Sequence, residues 1–185
     1  MLNLGVIITN IKKGQSALQV RDILSKLEST YQIMKPSINI TGCKINSNMI
    51  TVFIQIPSQS TPSILYDVVL ELYSTGKLDL ETKFKVYTNS PGFAYNFAYV
   101  FFKSGSLLMP EKYPKEFKEI PPTVRNPFYF IGFDKHVFSS IRYVSEYGLS
   151  KVKEDFGGRV PSIKTFAEKI KQIKDLKEET KLSQT

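Results

Sequence analysis

The chain has 185 residues, 42% of them apolar, and carries a formal net charge of +8. This length and composition suit one globular domain with a buried core, and no internal repeat or low-complexity segment is present. The lone cysteine, Cys43, excludes a disulfide framework and a zinc site built from thiolates within the chain. A basic surface attracts polyanions, but here the lysines are interleaved with acids rather than clustered, so the charge alone favours a solvated surface over nucleic-acid contact.

The N-terminal part of the chain predicts a strand followed by a helix. Residues 4–11 are a short apolar run, and a polar turn follows them. Ser16 has the side chain of a helix N-cap, and Pro36 is expected to end the helix. Apolar residues at helical spacing form its packing stripe: Leu18, Ile23, Leu24, Leu27 and Tyr31.

The next part of the chain predicts four strands in close succession. Alternating or β-branched apolar runs place them over 37–44, 49–56, 64–73 and 82–88. An Asn/Ser turn between the first two runs predicts a hairpin. The third run also fits a helical period, but its β-branched and aromatic content favours a strand.

The segment GFAYNFAYVFF, residues 92–102, carries an aromatic side chain at every second position from Phe93 onwards. This alternation predicts a fifth strand over 93–103, antiparallel to the preceding one. Its aromatic side has three open uses: the inner face of the sheet, an outer face covered by another protein, or a platform that stacks nucleic-acid bases. The inner face is favoured by the hydrophobic effect. The octapeptide of RNA-binding RRM domains matches only in its centre, residues 92–95.

The second half of the chain predicts an extended segment and then helices. Residues 109–127 are rich in proline and allow at most one short helix, around 115–119, and an aromatic patch covers 126–133. Asp134 is the predicted N-cap of a helix that Gly148 ends. Its apolar stripe contains Val137, Phe138, Ile141 and Val144.

The C-terminal end predicts a hinge or loop at Gly157 and Gly158, and then a last helix capped by Ser162. The apolar stripe of this helix contains Ile163, Phe166, Ala167, Ile170 and Ile173. The predicted fold is α+β: a mainly antiparallel sheet with an early inserted helix and C-terminal helices. Residues 1–156 form the core domain, with 109–127 as an extended segment, and 157–185 form a basic amphipathic helix.

Catalytic and metal-binding signatures are missing from the sequence. His136 is the single histidine, so a Ser-His-acid system would have to use it. Its position in the first turn of a predicted helix favours a solvent-facing side chain. The sequence contains neither the P-loop motif, GxxxxGK followed by Ser or Thr, nor the dinucleotide-binding motif GxGxxG. The pair Gly157–Gly158 alone is weak evidence for an anion site. We therefore expect no enzyme, no cofactor and no metal, and no membrane partner, since no apolar stretch approaches ~20 residues.

Two stretches carry a resemblance to known proteins. YTNSPGFAYNFAYVFF, residues 87–102, and VRNPFYFIGFDKHVFSSIRYV, residues 124–144, resemble segments of small virion proteins of tailed bacteriophages. The proteins concerned belong to the neck, collar or tail of the particle. The resemblance implies a non-enzymatic structural and assembly protein at the head–tail connector, collar or tail. Its partners would be copies of itself and other virion proteins, and its location the virion and, during assembly, the host cytoplasm.

Eight aromatic residues are the interface candidates of this interpretation: Tyr87, Phe93, Tyr95, Phe97, Phe128, Tyr129, Phe130 and Phe133. The same residues are core candidates, and the sequence leaves both roles open. The alternative function is a basic nucleic-acid-binding module of a phage or mobile element, with non-specific DNA contact. Its phosphate-binding candidates are Lys12, Lys13, Lys83, Lys85, Lys164, Lys169, Lys171 and Lys174. A steep loss of binding with salt would distinguish it.

Overall fold

The structure, a computed structural model, describes residues 1–5, 16–61, 63–74, 76–120 and 134–182. The strands within these ranges are β1 (Leu2–Asn3), β2 (Asn39–Asn46), β3 (Met49–Pro57), β4 (Leu65–Leu72) and β5 (Lys83–Thr88). The helices are α1 (Ala17–Met34), α2 (Pro91–Asn96), α3 (Ala98–Lys103), α4 (Glu116–Glu119), α5 (Lys135–Tyr147), α6 (Leu149–Phe156) and α7 (Phe166–Leu182). The predicted α+β fold, with an antiparallel sheet, an early helix and C-terminal helices, is therefore confirmed.

The five strands form one antiparallel sheet in the order β1-β5-β4-β3-β2. The four strands predicted between residues 37 and 88 are confirmed, and so is the hairpin of β2 and β3. The first strand, β1, is Leu2–Asn3 and pairs with the outer edge of β5, so it lies wholly before the predicted range 4–11, whose first two residues are helical. Most of the predicted range, residues 6–11, lies outside the described residues.

Both faces of the sheet are buried. One face carries the fully buried Ile50, Val52 and Ile56 of β3, and α5 packs against β3 and β4. The Tyr66 side chain, opposite Ile56 in the register, lies on this face with its ring 5.0 Å from that of His136. The helix α1 packs in turn against α5. The other face is covered by the C-terminal residues, which are described below.

The opposite face of the sheet has a central row of apolar side chains. Phe53, Val69 and Tyr87 are Cα partners across β3, β4 and β5, so they lie side by side. All three are buried. The Tyr87 hydroxyl donates a hydrogen bond to the carbonyl oxygen of Lys164 at 2.7 Å. The residues that precede α7 therefore cover this face.

The capping signals of α1 work as predicted. Ser16 Oγ accepts a hydrogen bond from the Gln19 amide, and Gln19 Oε1 accepts one from the Ser16 amide, which completes a capping box. The helix ends at Met34, two residues before Pro36. The prediction that Leu18 belongs to the packing stripe is wrong, since its side chain is 68% exposed. At about 100° per residue, Leu18 lies on the opposite side of the helix from the buried Tyr31.

The predicted aromatic strand over 93–103 is wrong, because this segment forms the two short helices α2 and α3. Phe93, Phe97 and Phe101 recur every fourth residue, so the same sequence also carries a helical stripe, with Ala94 and Ala98 beside it. Both alanines are buried. The base-stacking platform suggested by the alternation would be a strand face, and this segment forms none.

The edge of β5 is occupied by other residues instead. The Val86 amide donates to the Ser106 carbonyl at 2.9 Å, and the Leu108 amide donates to the Val86 carbonyl at 2.8 Å. The predicted antiparallel pairing of residues 93–103 with β5 does not occur, because the β5 backbone pairs with β1 and with the residues named above instead. Asn89 and Ser90 connect β5 to α2, and Pro91 occupies the first helical position.

The short helix predicted around 115–119 is confirmed as α4. The remainder of the described Pro-rich segment contains a 3₁₀ turn at Pro110–Lys112, while residues 121–133, with the aromatic patch at 126–133, lie outside the described residues. Asp134 is confirmed as the N-cap of α5, since its Oδ1 accepts from the His136 amide at 2.9 Å. Gly148, with φ of 87°, ends α5 as predicted.

The C-terminal loop and helix differ in detail from the prediction. Gly158 lies in a loop, with φ of 82°, and its amide donates to the Cys43 carbonyl on the edge strand β2. The prediction of Ser162 as a helix cap is wrong, because α7 begins at Phe166. Thr165 is the cap instead: its Oγ1 accepts from the Glu168 amide at 3.2 Å. Residues 162–164 are not helical, and the carbonyls of Ile163 and Lys164 accept tertiary hydrogen bonds from Lys112 and Tyr87.

Candidate interaction site

Four aromatic side chains meet where α2, α4 and α7 come together. The ring of Tyr95 lies 4.8 Å from that of Phe117, and Phe117 lies 5.1 Å from Phe166, both in edge-to-face contacts. Tyr113 stacks on Phe166 at 6.4 Å. Tyr113 and Phe166 are buried, whereas Tyr95 is 45% exposed. The cluster therefore joins the core to the surface through Tyr95.

A groove of about 430 Å³ opens beside this cluster; we call it the Tyr95 groove. Its apolar lining is formed by Tyr95, Pro114, Phe166, Ala167 and Ile170. Its charged lining is formed by Lys171, Lys174, Asp175 and Glu178, all on α7. These four residues form two pairs of opposite charge at i,i+4 spacing, so the groove combines apolar walls with a nearly neutral polar border.

The other described interface candidates are part of the core. Tyr87 and Phe93 are fully buried. Their rings contact those of Tyr113 and Phe101, each at 5.2 Å. Phe97 is half-buried against the core. Phe128, Tyr129, Phe130 and Phe133 lie outside the described residues.

The lysines proposed for phosphate contact lie on different elements. Lys12 and Lys13 are outside the described residues. Lys83 and Lys85 share one side of β5, where Lys85 Nζ is 3.6 Å from Glu71 Oε1. Three more are exposed on or just before α7: Lys164, Lys171 and Lys174. The described candidates therefore fall into two separate groups, one on β5 and one on or just before α7.

Lys169 is the exception, because its side chain is buried. Its ammonium donates to the carbonyl oxygen of Leu65 at 2.6 Å and to Gln172 Oε1 at 2.9 Å. Burial lowers the pKa of Lys169, while the charge of Asp67 acts in the opposite direction. The ammonium of this lysine therefore contacts the sheet and its own helix rather than an external phosphate.

A buried polar cluster that no sequence pattern indicates lies next to it. Asn89 Nδ2 donates to Asp67 Oδ2 at 2.8 Å and to the Lys164 carbonyl at 3.2 Å. Asn89 Oδ1 accepts from the Asp67 amide, and Gln55 Nε2 donates to Asp67 Oδ1. These residues are far apart in sequence, so only the antiparallel register brings them together. The cluster positions the chain that leads into α7.

His136 is buried, which makes the prediction of a solvent-facing side chain wrong. The reason is that the first turn of α5 packs on the sheet, where the His136 ring meets Tyr66. Its Nδ1 lies 3.0 Å from Asp134 Oδ1 and 3.1 Å from Ser90 Oγ. The single histidine thus meets a serine and an acid.

The Ser90–His136–Asp134 contacts do not form a catalytic relay. In such a relay the serine faces one ring nitrogen and the acid holds the other. Here both approach Nδ1, and an Nδ1 that donates to Asp134 has no lone pair for the proton of Ser90. The other nitrogen, Nε2, is buried and has no hydrogen-bond partner among the described residues. The contacts fix the N-terminus of α5.

Among the described residues, no group of His, Cys, Asp and Glu side chains is arranged to hold a metal ion. The described helices also include none with the length and apolar character needed to cross a membrane. Comparison of the chain with protein-family models, with curated proteins and with solved structures found no match.

Proposed function

We propose that the protein is a non-enzymatic structural and assembly protein, held in place by protein–protein contacts. The setting we propose is the virion of a tailed bacteriophage, at the head–tail connector, collar or tail, which rests on the resemblance of residues 87–102 and 124–144. The observation that carries the assembly role is the Tyr95 groove. Its partners would be further copies of the chain and other virion proteins.

The Tyr95 groove has the composition of a protein-binding site. Tyrosine is enriched among residues that dominate interface energetics, and such residues sit in apolar pockets bordered by polar groups. Tyr95 supplies an exposed aromatic ring, and Pro114, Phe166 and Ile170 supply apolar walls. A volume of about 430 Å³ admits one or two large apolar side chains of a partner. The paired charges of α7 would form the polar border.

The first test is the mass of the purified chain by light scattering, at low and high salt, with and without short duplex DNA. We expect an oligomer without DNA that persists at high salt, because apolar contacts are not screened. Tyr95→Ala should shift the mass towards the monomer. Phe102→Ala, which truncates another exposed aromatic of the same segment, should leave the mass unchanged.

The alternative, a nucleic-acid-binding module, predicts a different result. Its support is the placement of Lys83 and Lys85 on one side of β5. A monomer that changes mass only with DNA, and releases it with a log–log salt slope of about −0.9 per neutralised phosphate, would favour this alternative. An oligomer that persists at high salt but dissociates equally in Tyr95→Ala and Phe102→Ala would contradict the role of the groove.

A further inference from the structure

A second cleft, separate from the Tyr95 groove, lies over the face of the sheet that the C-terminal residues cover. Its volume is about 370 Å³. Apolar side chains from three parts of the chain line it, among them Phe53, Leu108, Met109 and Ile163. Two lysines, Lys44 and Lys112, also line it. The cleft therefore combines apolar walls with positive charge.

The strand register shows how the charges around the cleft are balanced. Lys44, Thr51, Glu71 and Lys85 are successive Cα partners, so they form one row across four strands. Glu71 is already engaged: the Tyr73 hydroxyl donates to its Oε1 at 2.6 Å, and Lys85 Nζ lies 3.6 Å away. The carboxylate in the lining is thus neutralised by its own neighbours.

The two lysines of the cleft form no direct ion pair, although Lys112 does feel one acid outside the lining: the pKa of the Glu168 carboxyl is lowered by its hydrogen bonds from Thr165 and, less strongly, by the charge of Lys112. Neither Lys44 nor Lys112 has an ion-pair partner among the described residues. Lys44 is exposed at the edge of the sheet, and Lys112 Nζ donates only to the neutral carbonyl oxygen of Ile163 at 3.2 Å. An anion that enters the cleft would therefore meet two ammonium groups and no free carboxylate.

The backbone that carries Lys112 is held in an unusual conformation. Met109, which lines the cleft, has φ of 51° and ψ of 53°, and it is the single non-glycine residue with positive φ in the described part of the chain. A left-handed conformation is sterically unfavourable for a non-glycine residue. Met109 directly precedes the 3₁₀ turn Pro110–Lys112. This geometry places an apolar wall and a lysine next to each other.

We propose that this cleft binds an apolar carboxylate, with the apolar group against Phe53, Met109 and Ile163 and the carboxylate at Lys44 and Lys112. Apolar walls with a few placed charges are typical of small-ligand sites. A nucleic-acid backbone fits less well, because a phosphodiester gains nothing from the apolar lining. The same chemistry occurs in a free medium-chain fatty acid and in the C-terminal residue of an apolar peptide.

The test titrates the full chain with octanoate and with N-acetyl-leucyl-leucine, and follows the backbone amide shifts of Thr51 and Met109 by NMR. Octylammonium and N-acetyl-leucyl-leucine amide are the matched ligands without a carboxylate. We expect both or one of the carboxylates to shift these amides saturably and the matched ligands to bind about fivefold more weakly or not at all. Octanoate alone would identify a free acid as the ligand, and the peptide alone a chain terminus.

The variants separate charge from folding. Lys44→Gln should weaken carboxylate binding about fivefold, and Lys44→Arg should restore it. Lys26→Gln removes an exposed lysine of α1 and should leave binding unchanged. If Lys112→Gln disturbs the turn, Lys112→Arg separates the effect of the charge from that of the turn, because it keeps the charge.

Three results would overturn the proposal. The first is equal binding of the carboxylates and their uncharged or cationic counterparts, and the second is no saturable shift with either carboxylate. The third is a shift of the same amides by short duplex DNA alone, which would mark a polyanion site. The light-scattering mass reports on assembly independently, so this cleft and the Tyr95 groove can fail separately.

Discussion

At the scale of single residues, Gly42 decides how closely the C-terminal residues approach the sheet. It lies in the edge strand β2, and a Cβ atom there would clash with the Arg159 carbonyl and lie 2.8 Å from Pro161 Cδ. Arg159 also forms a β-bridge with the neighbouring Cys43. The absence of a side chain at this position is therefore a packing requirement.

We predict that Gly42→Ala lowers the free energy of unfolding by about 1–3 kcal/mol, the usual cost of overpacking. Urea unfolding followed by circular dichroism measures it. Gly76→Ala is the matched control, because no atom lies within 4 Å of a Cβ at that position. Equal effects of the two substitutions would show that the approach of Arg159 and Pro161 is not tight in solution.

Lys169 is a second residue with a decisive environment, since burial lowers the pKa of its ammonium. Below the folded-state pKa the group is charged in both states, so the desolvation cost of folding is fully present. As pH rises from there to the unfolded value of about 10.4, the cost disappears and the folded state gains stability. The charge of Lys169 is thus a cost at neutral pH.

We predict that the free energy of unfolding of Lys169→Met at neutral pH equals that of the wild type or exceeds it by about 1 kcal/mol. The difference should shrink as pH approaches about 10. Lys171→Met, at an exposed position on the same helix, should show no such pH dependence. Urea unfolding at several pH values is the measurement, and a large loss of stability in Lys169→Met would mean that Asp67 needs this charge.

At the scale of elements, a cluster of charges joins α1 to α5. Arg142 donates to Glu28 at 3.1 Å and pairs with Glu146 at 3.1 Å. Lys35 and the Tyr31 hydroxyl donate to Glu146 at 2.6 and 2.7 Å. The hydrogen bond from Arg142 lowers the pKa of Glu28, and that from Lys35 lowers the pKa of Glu146. Both carboxylates therefore stabilise the folded state when charged.

The sign of the pH dependence follows from these lowered pKa values. The stabilisation is present above the unfolded pKa of about 4.3 and is lost as pH falls through the folded values. We predict that Arg142→Met costs at most about 1 kcal/mol at neutral pH, because the Arg142 and Glu28 side chains are both more than a third exposed. The difference from the wild type should be smaller at an acidic pH below about 4.3, when both proteins are compared by urea unfolding. Arg21→Met, at an exposed position of α1, should have no effect at either pH.

At the scale of the whole molecule, residues 157–182 close over a sheet that the first half of the chain builds. Arg159 bridges to Cys43 on β2, and the Lys164 carbonyl accepts from Tyr87 and Asn89 at the end of β5. Phe166 then inserts among the aromatic rings of the Tyr95 cluster. The bridge to Cys43 and the hydrogen bonds from Tyr87 and Asn89 join the C-terminal residues to positions more than 70 residues away.

We predict that Phe166→Ala releases α7 while the sheet stays folded, because the side chain is the main buried apolar contact of the first turn. Truncating a buried Phe costs about 3–5 kcal/mol. Hydrogen exchange should therefore accelerate in residues 166–182 and remain slow in β3 and β4. Val160→Ala, at a 61% exposed position, is the control. Simultaneous loss of protection in α7 and the sheet would show that they unfold as one unit.

The boundaries of α1 and α5 and the hairpin of β2 and β3 could be predicted because their signals are local. Ser16 with Gln19, Asp134 with the His136 amide, and Gly148 with its positive φ all act within a few residues of the chain. The turn between β2 and β3 acts over a similar range. A backbone group that is satisfied by a neighbouring side chain leaves its mark in the sequence.

The aromatic segment could not be predicted because two periods fit it equally. Phe93, Phe97 and Phe101 lie on a helical stripe, and together with Tyr95 and Tyr99 they also alternate as in a strand. What decides between the two is the competition for the edge of β5, which β1 and residues 106–108 occupy. That competition involves residues distant in sequence, so no local pattern contains it.

The sequence by itself determined the fold class, four of the strands and the caps of α1 and α5, because alternation and capping depend on neighbouring residues. Only the tertiary structure decided which aromatic and charged residues are accessible. It buried Tyr87, His136 and Lys169, and it left Tyr95 exposed beside a groove. The physical reason is that exposure depends on which distant elements pack over a residue, and packing is a property of the whole chain.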